Sequence, residues 1–204
     1  MAAQHAEPER VFLNIPYDAK FERLYLACIV GLVELGLKPR ATLAIPGGKA
    51  RLDRIINLIH SCSYSVHDLS RVQMDRKPPA TPRFNMPFEL GLAVSWAKRN
   101  PRQHTWFVFE SENRRAQKSI SDLNGTDFNI HDGTIEGVMR ELCNAFVRAN
   151  QRPNVPEMVS NYRQVRRFIP EVLRRAGTRS VFEARVFEDL SLLAAAIRRR
   201  RVRG

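Results

Sequence analysis

RVFLNIPYDAKFERLYLACIVGLVELGLKPR, residues 10–40, decides the fold. Val11, Phe12, Leu13 and Ile15 make residues 10–15 a short apolar run of strand-forming side chains. Pro16 stops that strand, and Tyr17 and Asp18 turn the chain into a helix over 19–36. Phe21, Leu24, Cys28, Leu32 and Leu35 recur there at helical spacing. Gly36 suits the residue just past a helix, and Pro39 blocks its continuation. The stretch therefore reads as one strand–helix unit.

The same alternation continues outward. ATLAIPGG (41–48) reads as a short strand ending in a Pro-Gly-Gly loop. A helix over 50–62 follows, with Leu52, Ile55, Ile56 and Ile59 on one stripe and Arg51, Asp53, Arg54, Asn57 and His60 on the other face. YSVHDL (64–69) reads as a strand and the Pro-rich 71–83 as a long loop, a length that often signals function. A helix over 84–99 has Asn85 as its expected N-cap, Pro87 in its first turn, and Phe88, Leu92, Ser95 and Trp96 on one face. HTWFVFE (104–110) is a further strand, and 111–132 is polar with a turn at Asn124-Gly125. The helix over 134–149 carries an apolar stripe of Ile135, Val138, Met139, Leu142, Cys143, Phe146 and Val147. This β-α-β-α-β-α-β-α order predicts a parallel sheet with helices on both faces. Pro153 and Pro156 mark a linker to two more helices, about 157–175 and 181–199, separated by Gly177. The expected organisation is an α/β domain over 1–150 and a basic helical extension over 151–204.

Charge follows that division. The chain carries +12 overall, and residues 151–204 alone hold 13 Arg against 5 acidic residues. An Arg-rich extension predicts attraction to nucleic acid or an acidic partner, and its apolar stripes predict packing on the core or self-association. No apolar run reaches the ~20 residues that span a bilayer, and MAAQHAEPER lacks a secretory pattern, so no membrane contact and a cytoplasmic location are expected. Cys28, Cys62 and Cys143 are far apart without CxxC spacing, which argues for buried small side chains rather than a disulfide or zinc site.

Several chemistries lack their motifs. There is no GxGxxG, no GxxxxGK[ST], no GxSxG and no HExxH. The five histidines show no metal spacing, so each is expected at the surface or satisfied inside, and no metal or cofactor is expected. Ligands of parallel α/β sheets sit beyond the carboxyl ends of the strands, here the loops 14–18, 45–49, 68–86 and 122–132. Asn14, Tyr17, Asp18, Asp68, Ser70, Arg71, Asn85, Asn124 and Asp127 gather in them.

FNMPFELGLA (84–93) is the informative segment. A carboxylate early in a helix, beside aromatics and after a long loop, can face a small-molecule pocket. Cleaving a ribosyl N-glycosidic bond builds positive charge on the sugar, and Glu89 as a carboxylate can stabilise that charge or attack the carbon. Phe84 or Phe88 would stack on the base and Asn85 would bond ribose hydroxyls. The plain alternative is that Glu89 complements the helix dipole and does nothing more.

RVFLNIPYD with its following helix, SCSYSVHDLS and FELGLA together resemble the superfamily of TIR domains and nucleoside 2-deoxyribosyltransferases over residues 10–149. The resemblance implies a flavodoxin-like three-layer fold with a C-terminal helical extension. It implies a catalytic role for Glu89 in Glu89-Leu90-Gly91-Leu92-Ala93, with Asn14, Tyr17 and Asp18 in the first ligand-facing loop and Asp68 and Ser70 at the strand end beside the pocket. Asp18 or Asp68 would orient the sugar or carry a proton. It further implies NAD or a related nucleotide as substrate, action as a homo-oligomer, and a role in bacterial antiviral defence. The chain departs from the family at its first loop: Asn14-Ile15-Pro16-Tyr17-Asp18 replaces the Gly-rich start of the transferases, and Asn14-Ile15 stands where many TIR domains have Ser-Tyr. A non-catalytic nucleotide sensor and an interaction scaffold with a nucleic-acid-binding tail are the competing expectations.

Overall fold

Five parallel strands form one sheet in the order β2-β1-β3-β4-β5: β1 (Arg10–Asn14), β2 (Lys38–Arg40), β3 (Tyr64–Asp68), β4 (Thr105–Glu110) and β5 (Phe128–Ile130). This is the flavodoxin-like order, whose switch point lies between β1 and β3. The computed structural model describes residues 8–44, 50–72, 81–147, 149 and 151–203. The helices are α1 (Glu22–Glu34), α2 (Arg51–Ser61), α3 (Asn85–Arg99), the short α4 (Arg115–Ser119), α5 (Ile135–Ala145), α6 (Val155–Ala176) and α7 (Ala184–Arg203).

Side chains alternate across the sheet. Val11 and Leu13 of β1, Val66 of β3 and Phe109 of β4 join the core shared with α1 and α5. Phe12 points the other way, into Ile55, Leu58 and Ile59 of α2 and Ala93 of α3. Helix α1 is buried from Leu24 to Glu34 because the sheet lies on one side and α5, α6 and α7 on the other. Gly31 permits that closeness: a Cβ there would run into Leu142 Cδ1.

The C-terminal helices belong to this same core. Met158, Tyr162 and Val165 of α6 and Phe187, Leu190 and Ala194 of α7 cluster with Leu13 and Ile29. Their apolar stripes are thus spent within the chain. A polar knot pins them: buried Glu34 accepts hydrogen bonds from Asn161 of α6 and Arg201 of α7. Asn161 also donates to Ala194 O at 3.2 Å, and Arg201 to Glu157 O at 3.1 Å, so the two helices run antiparallel.

Several local expectations are corrected. The second strand is Lys38–Arg40, with Pro39 inside it, and residues 42–44 form a 3-10 turn. Arg10, Val11 and Phe12 pair with Lys38, Pro39 and Arg40 at the sheet edge, where proline is tolerated. The Pro-Gly-Gly loop lies outside the described residues. The polar stretch 111–132 contains β5, three half-buried residues that give too little alternation to be read. Helix α5 ends at Ala145, leaving Val147 62% exposed and off the stripe. Pro156 stands in the first turn of α6, where its missing N–H costs nothing, behind an Asn154–Glu157 capping box. In α2, Leu52 is exposed and Leu58 takes its place inside. In α3, Asn85 is the first helical residue rather than a side-chain cap, and the buried stripe is Met86, Leu90, Ala93 and Ala97 instead of Phe88, Leu92, Ser95 and Trp96. Among the described residues no helix is long and apolar enough to cross a membrane.

Candidate functional site

A pocket of about 360 Å³ opens at the carboxyl end of β1, beside the switch point. Strand β1 and its loop supply Asn14, Ile15, Pro16 and Tyr17, the turn after β2 supplies Thr42, and α2 begins at its wall with Arg51. Arg83, Asn85, Met86 and Glu89 close it from the start of α3. Four of the residues singled out from the sequence therefore meet: Asn14, Tyr17, Asn85 and Glu89.

Glu89 is 4% exposed. Helical spacing puts it next to Met86 and Leu90 on the inward side of α3, so its carboxyl enters the pocket from an apolar wall. Burial pushes its pKa up to about 7, although Arg51 opposes the shift. Arg51 Nη2 lies 3.7 Å from Glu89 Oε1. Glu89 is the one carboxylate among the described pocket-lining residues.

Tyr17 hydrogen-bonds Leu13 O at 3.3 Å. Burial holds its phenol far above the ordinary value, so it stays neutral as a donor. Its ring packs 6.2 Å from Phe182 and 6.1 Å from Tyr25, while Tyr25 donates to Val181 O. The pocket rim thus leans on the segment that leads into α7.

Asn14 is buried, and its amide nitrogen donates to Met86 O at 3.1 Å and approaches His67 Nδ1 at 2.9 Å. It fastens the end of β1 to the start of α3, and so sets the distance between the pocket's two walls.

The other expected residues lie elsewhere. Asp18 is outside the pocket lining: Oδ1 holds the turn before α1 through Lys20 N and Phe21 N, and Oδ2 takes Arg83 at 2.8 Å and Arg71 at 3.3 Å. Partial burial raises its pKa, but the two guanidiniums outweigh it, Arg83 foremost, and the net shift is downward. Arg71 is thereby a brace, and Arg83 reaches the pocket wall while held by Asp18. Asp68 accepts Ser70 N at 2.9 Å and His131 Nε2 at 3.0 Å, and Ser70 Oγ meets the same nitrogen at 3.0 Å. Gly133 N donates to His131 Nδ1, so Nε2 carries the proton. Serine and aspartate share one nitrogen, which is not a nucleophile relay; the trio is a buried knot joining the ends of β3 and β5. Phe84 is 70% exposed and Phe88 55%, and neither lines the pocket. Asn124 lines a separate depression with Arg114, Gln117 and Lys118, and Asp127 is exposed.

Sequence reading missed Arg51, Arg83 and Thr42 as pocket residues. It also missed the polar chain under Asn14, whose signal was Ser65 and His67 on one face of a central strand. No family model and no curated protein matches this chain.

Proposed function

We propose that this protein cleaves the N-glycosidic bond of NAD or a related nucleotide, with Glu89 as the group that meets the sugar. Glu89 carries the proposal: the one carboxylate among the described lining residues, buried in the wall of a pocket at the switch point, with a cation 3.7 Å away. As the C–N bond breaks, the electron pair leaves with the base and positive charge spreads over the sugar. Ionised Glu89 stabilises that charge or bonds to the carbon, and water then supplies the new hydroxyl and releases a proton to solvent.

With Glu89 the one carboxylate among the described lining residues, the site selects among leaving groups. Nicotinamide departs neutral because the electron pair discharges its pyridinium ring, so no proton donor is required. A neutral nucleoside base does require one, and Asp18 and Asp68 are committed to other partners. Arg51 and Arg83 on the wall favour a phosphorylated substrate. Consumption of NAD in antiviral defence is the role this activity would serve. Release of the free base from NAD by the wild-type chain, and not by Glu89→Gln, tests the proposal.

A nucleotide sensor is the second reading, favoured by one observation: among the described residues that line the pocket, none besides Glu89 is a carboxylate or histidine placed to activate water. The exposed arginines of the C-terminal helices then offer a surface to an acidic partner. Arg163, Arg166 and Arg167 on α6 and Arg199 and Arg200 on α7 form no ion pair among the described residues.

A further inference from the structure

Beneath the pocket runs a continuous buried hydrogen-bonded chain. Asn14 Nδ2 is 2.9 Å from His67 Nδ1, His67 Nε2 is 2.9 Å from Ser65 Oγ, Ser65 Oγ is 2.9 Å from His104 Nε2, and His104 Nδ1 is 2.8 Å from Cys62 O. All four side chains are buried.

Its two ends settle every proton. Cys62 O can only accept, so His104 carries its proton on Nδ1 and presents Nε2 as an acceptor. Ser65 must then donate to His104 and accept from His67 Nε2–H. His67 Nδ1 is left as an acceptor for Asn14. At the other end Met86 O also can only accept, which fixes the second N–H of Asn14 at 3.1 Å. The arrangement requires both rings to be neutral, and burial depresses both, His67 to about 3.

Both N–H groups of Asn14 are therefore consumed inside the protein. Among the described residues its Oδ1 takes part in no hydrogen bond, and Asn14 lines the pocket. Turning the amide over would set an oxygen against two acceptors. One residue of the lining thus offers a carbonyl acceptor that cannot become a donor, and another, Glu89, a carboxylate that accepts when ionised. Such a pair is complementary to hydroxyl donors.

Resting on the glycosidase proposal above, we infer that Asn14 Oδ1 reads a hydroxyl of the substrate's sugar, and that His67, through Ser65 and His104, is the positioning residue that locks it as an acceptor. The site then takes ribosides in preference to deoxyribosides.

The experiment titrates the folded Glu89→Gln protein with NAD and with the NAD analogue lacking the 2′-hydroxyl of the nicotinamide ribose. The expected result is binding of NAD at least ~10-fold tighter than the analogue. Adding Ser65→Ala, which breaks the chain without touching the pocket, brings that ratio down toward one while analogue binding stays the same. Adding Asn14→Ala also brings the ratio to one; because it unties β1 from α3 as well, only the ratio is read from it, with melting curves confirming the fold. Loss of both affinities in equal measure after Ser65→Ala would show a merely structural chain and overturn the inference. Equal binding of the two ligands by Glu89→Gln, alongside NAD cleavage by wild type, overturns the inference and leaves the glycosidase proposal standing. Failure of NAD to bind or be cleaved sinks that proposal and the sugar assignment with it. Nitrogen-15 NMR of the histidines checks the lock without a ligand: His67 protonated on Nε2 and His104 on Nδ1 is expected, and the opposite tautomer of either overturns it.

Discussion

Arg51 Nη2 stands 3.7 Å from Glu89 Oε1, a pairing of a mostly exposed cation on α2 with a buried carboxylate on α3. The pair spans the pocket, and it partly offsets the desolvation that raises Glu89. At that distance it is an ion pair rather than a close hydrogen bond, so a phosphate entering the pocket competes for the same guanidinium.

The pH dependence of turnover follows from this pair. If ionised Glu89 meets the sugar, kcat/KM falls as pH drops through about 7. Arg51→Ala removes the charge that, among the described residues, favours the ionised form, so the acid limb moves to higher pH. Steady-state profiles from pH 5 to 9 measure this; a limb that stays in place separates Arg51 from the ionisation of Glu89.

Stability carries the opposite sign. The folded protein holds the Glu89 proton up to about pH 7, whereas the unfolded chain releases it near its ordinary 4.5. The folded state is therefore favoured below about 4.5, and this contribution is lost as pH rises through 7. Glu89→Gln keeps the site neutral at every pH. Its melting temperature matches wild type at pH 4 and exceeds it at pH 8 by roughly 4–12 °C, the equivalent of about 2–3 kcal/mol at about 2–4 °C per kcal/mol. Differential scanning calorimetry at the two pH values checks it.

Gly31→Ala tests how tightly α1 meets the helices outside it. The added methyl collides with Leu142 and crowds Met139. A loss of about 1–3 kcal/mol is expected in urea unfolding, whereas Gly91→Ala, where a Cβ meets nothing within 4 Å, leaves stability unchanged or slightly raised.

These contrasts also show what the sequence disclosed. The first strand–helix unit and the alternation after it were enough for a parallel three-layer sheet, since buried strands and helices of this length carry their own periodicity. Of the residues read into the strand-end loops, Asn14, Tyr17 and Asn85 line one pocket, because sheet topology alone brings those loops together, and Glu89, read from the helix segment 84–93, lines it with them. Which polar group remains free was not legible. Asp18 is consumed by Arg71 and Arg83, and Asp68 by Ser70 N and the ring of His131, 63 residues later in the chain. Phe84 and Phe88 looked like base-stacking rings beside Glu89, but a helix turns 100° per residue and carries Phe88 outward as it carries Glu89 in. Phe128–Ile130 was too short to register as a strand, and Pro39 disguised β2 as a break.

The basic face of the C-terminal helices makes a separate prediction. Binding of a 20-nucleotide single-stranded DNA should weaken steeply between 50 and 200 mM salt. Replacing Arg163, Arg166 and Arg167 together with Ala should reduce the slope of log K against log salt by about 2. Fluorescence anisotropy reads it, and an unchanged slope would place any polyanion contact elsewhere.

The most direct test of the central claim is incubation of the full chain with NAD, following nicotinamide by liquid chromatography, with Glu89→Gln alongside and protein concentration varied upward to allow for assembly. Nicotinamide release by wild type, falling at least ~100-fold in a Glu89→Gln protein that melts no lower than wild type, is the predicted result. Equal release by the two proteins, or none from wild type at any concentration, would contradict cleavage by Glu89.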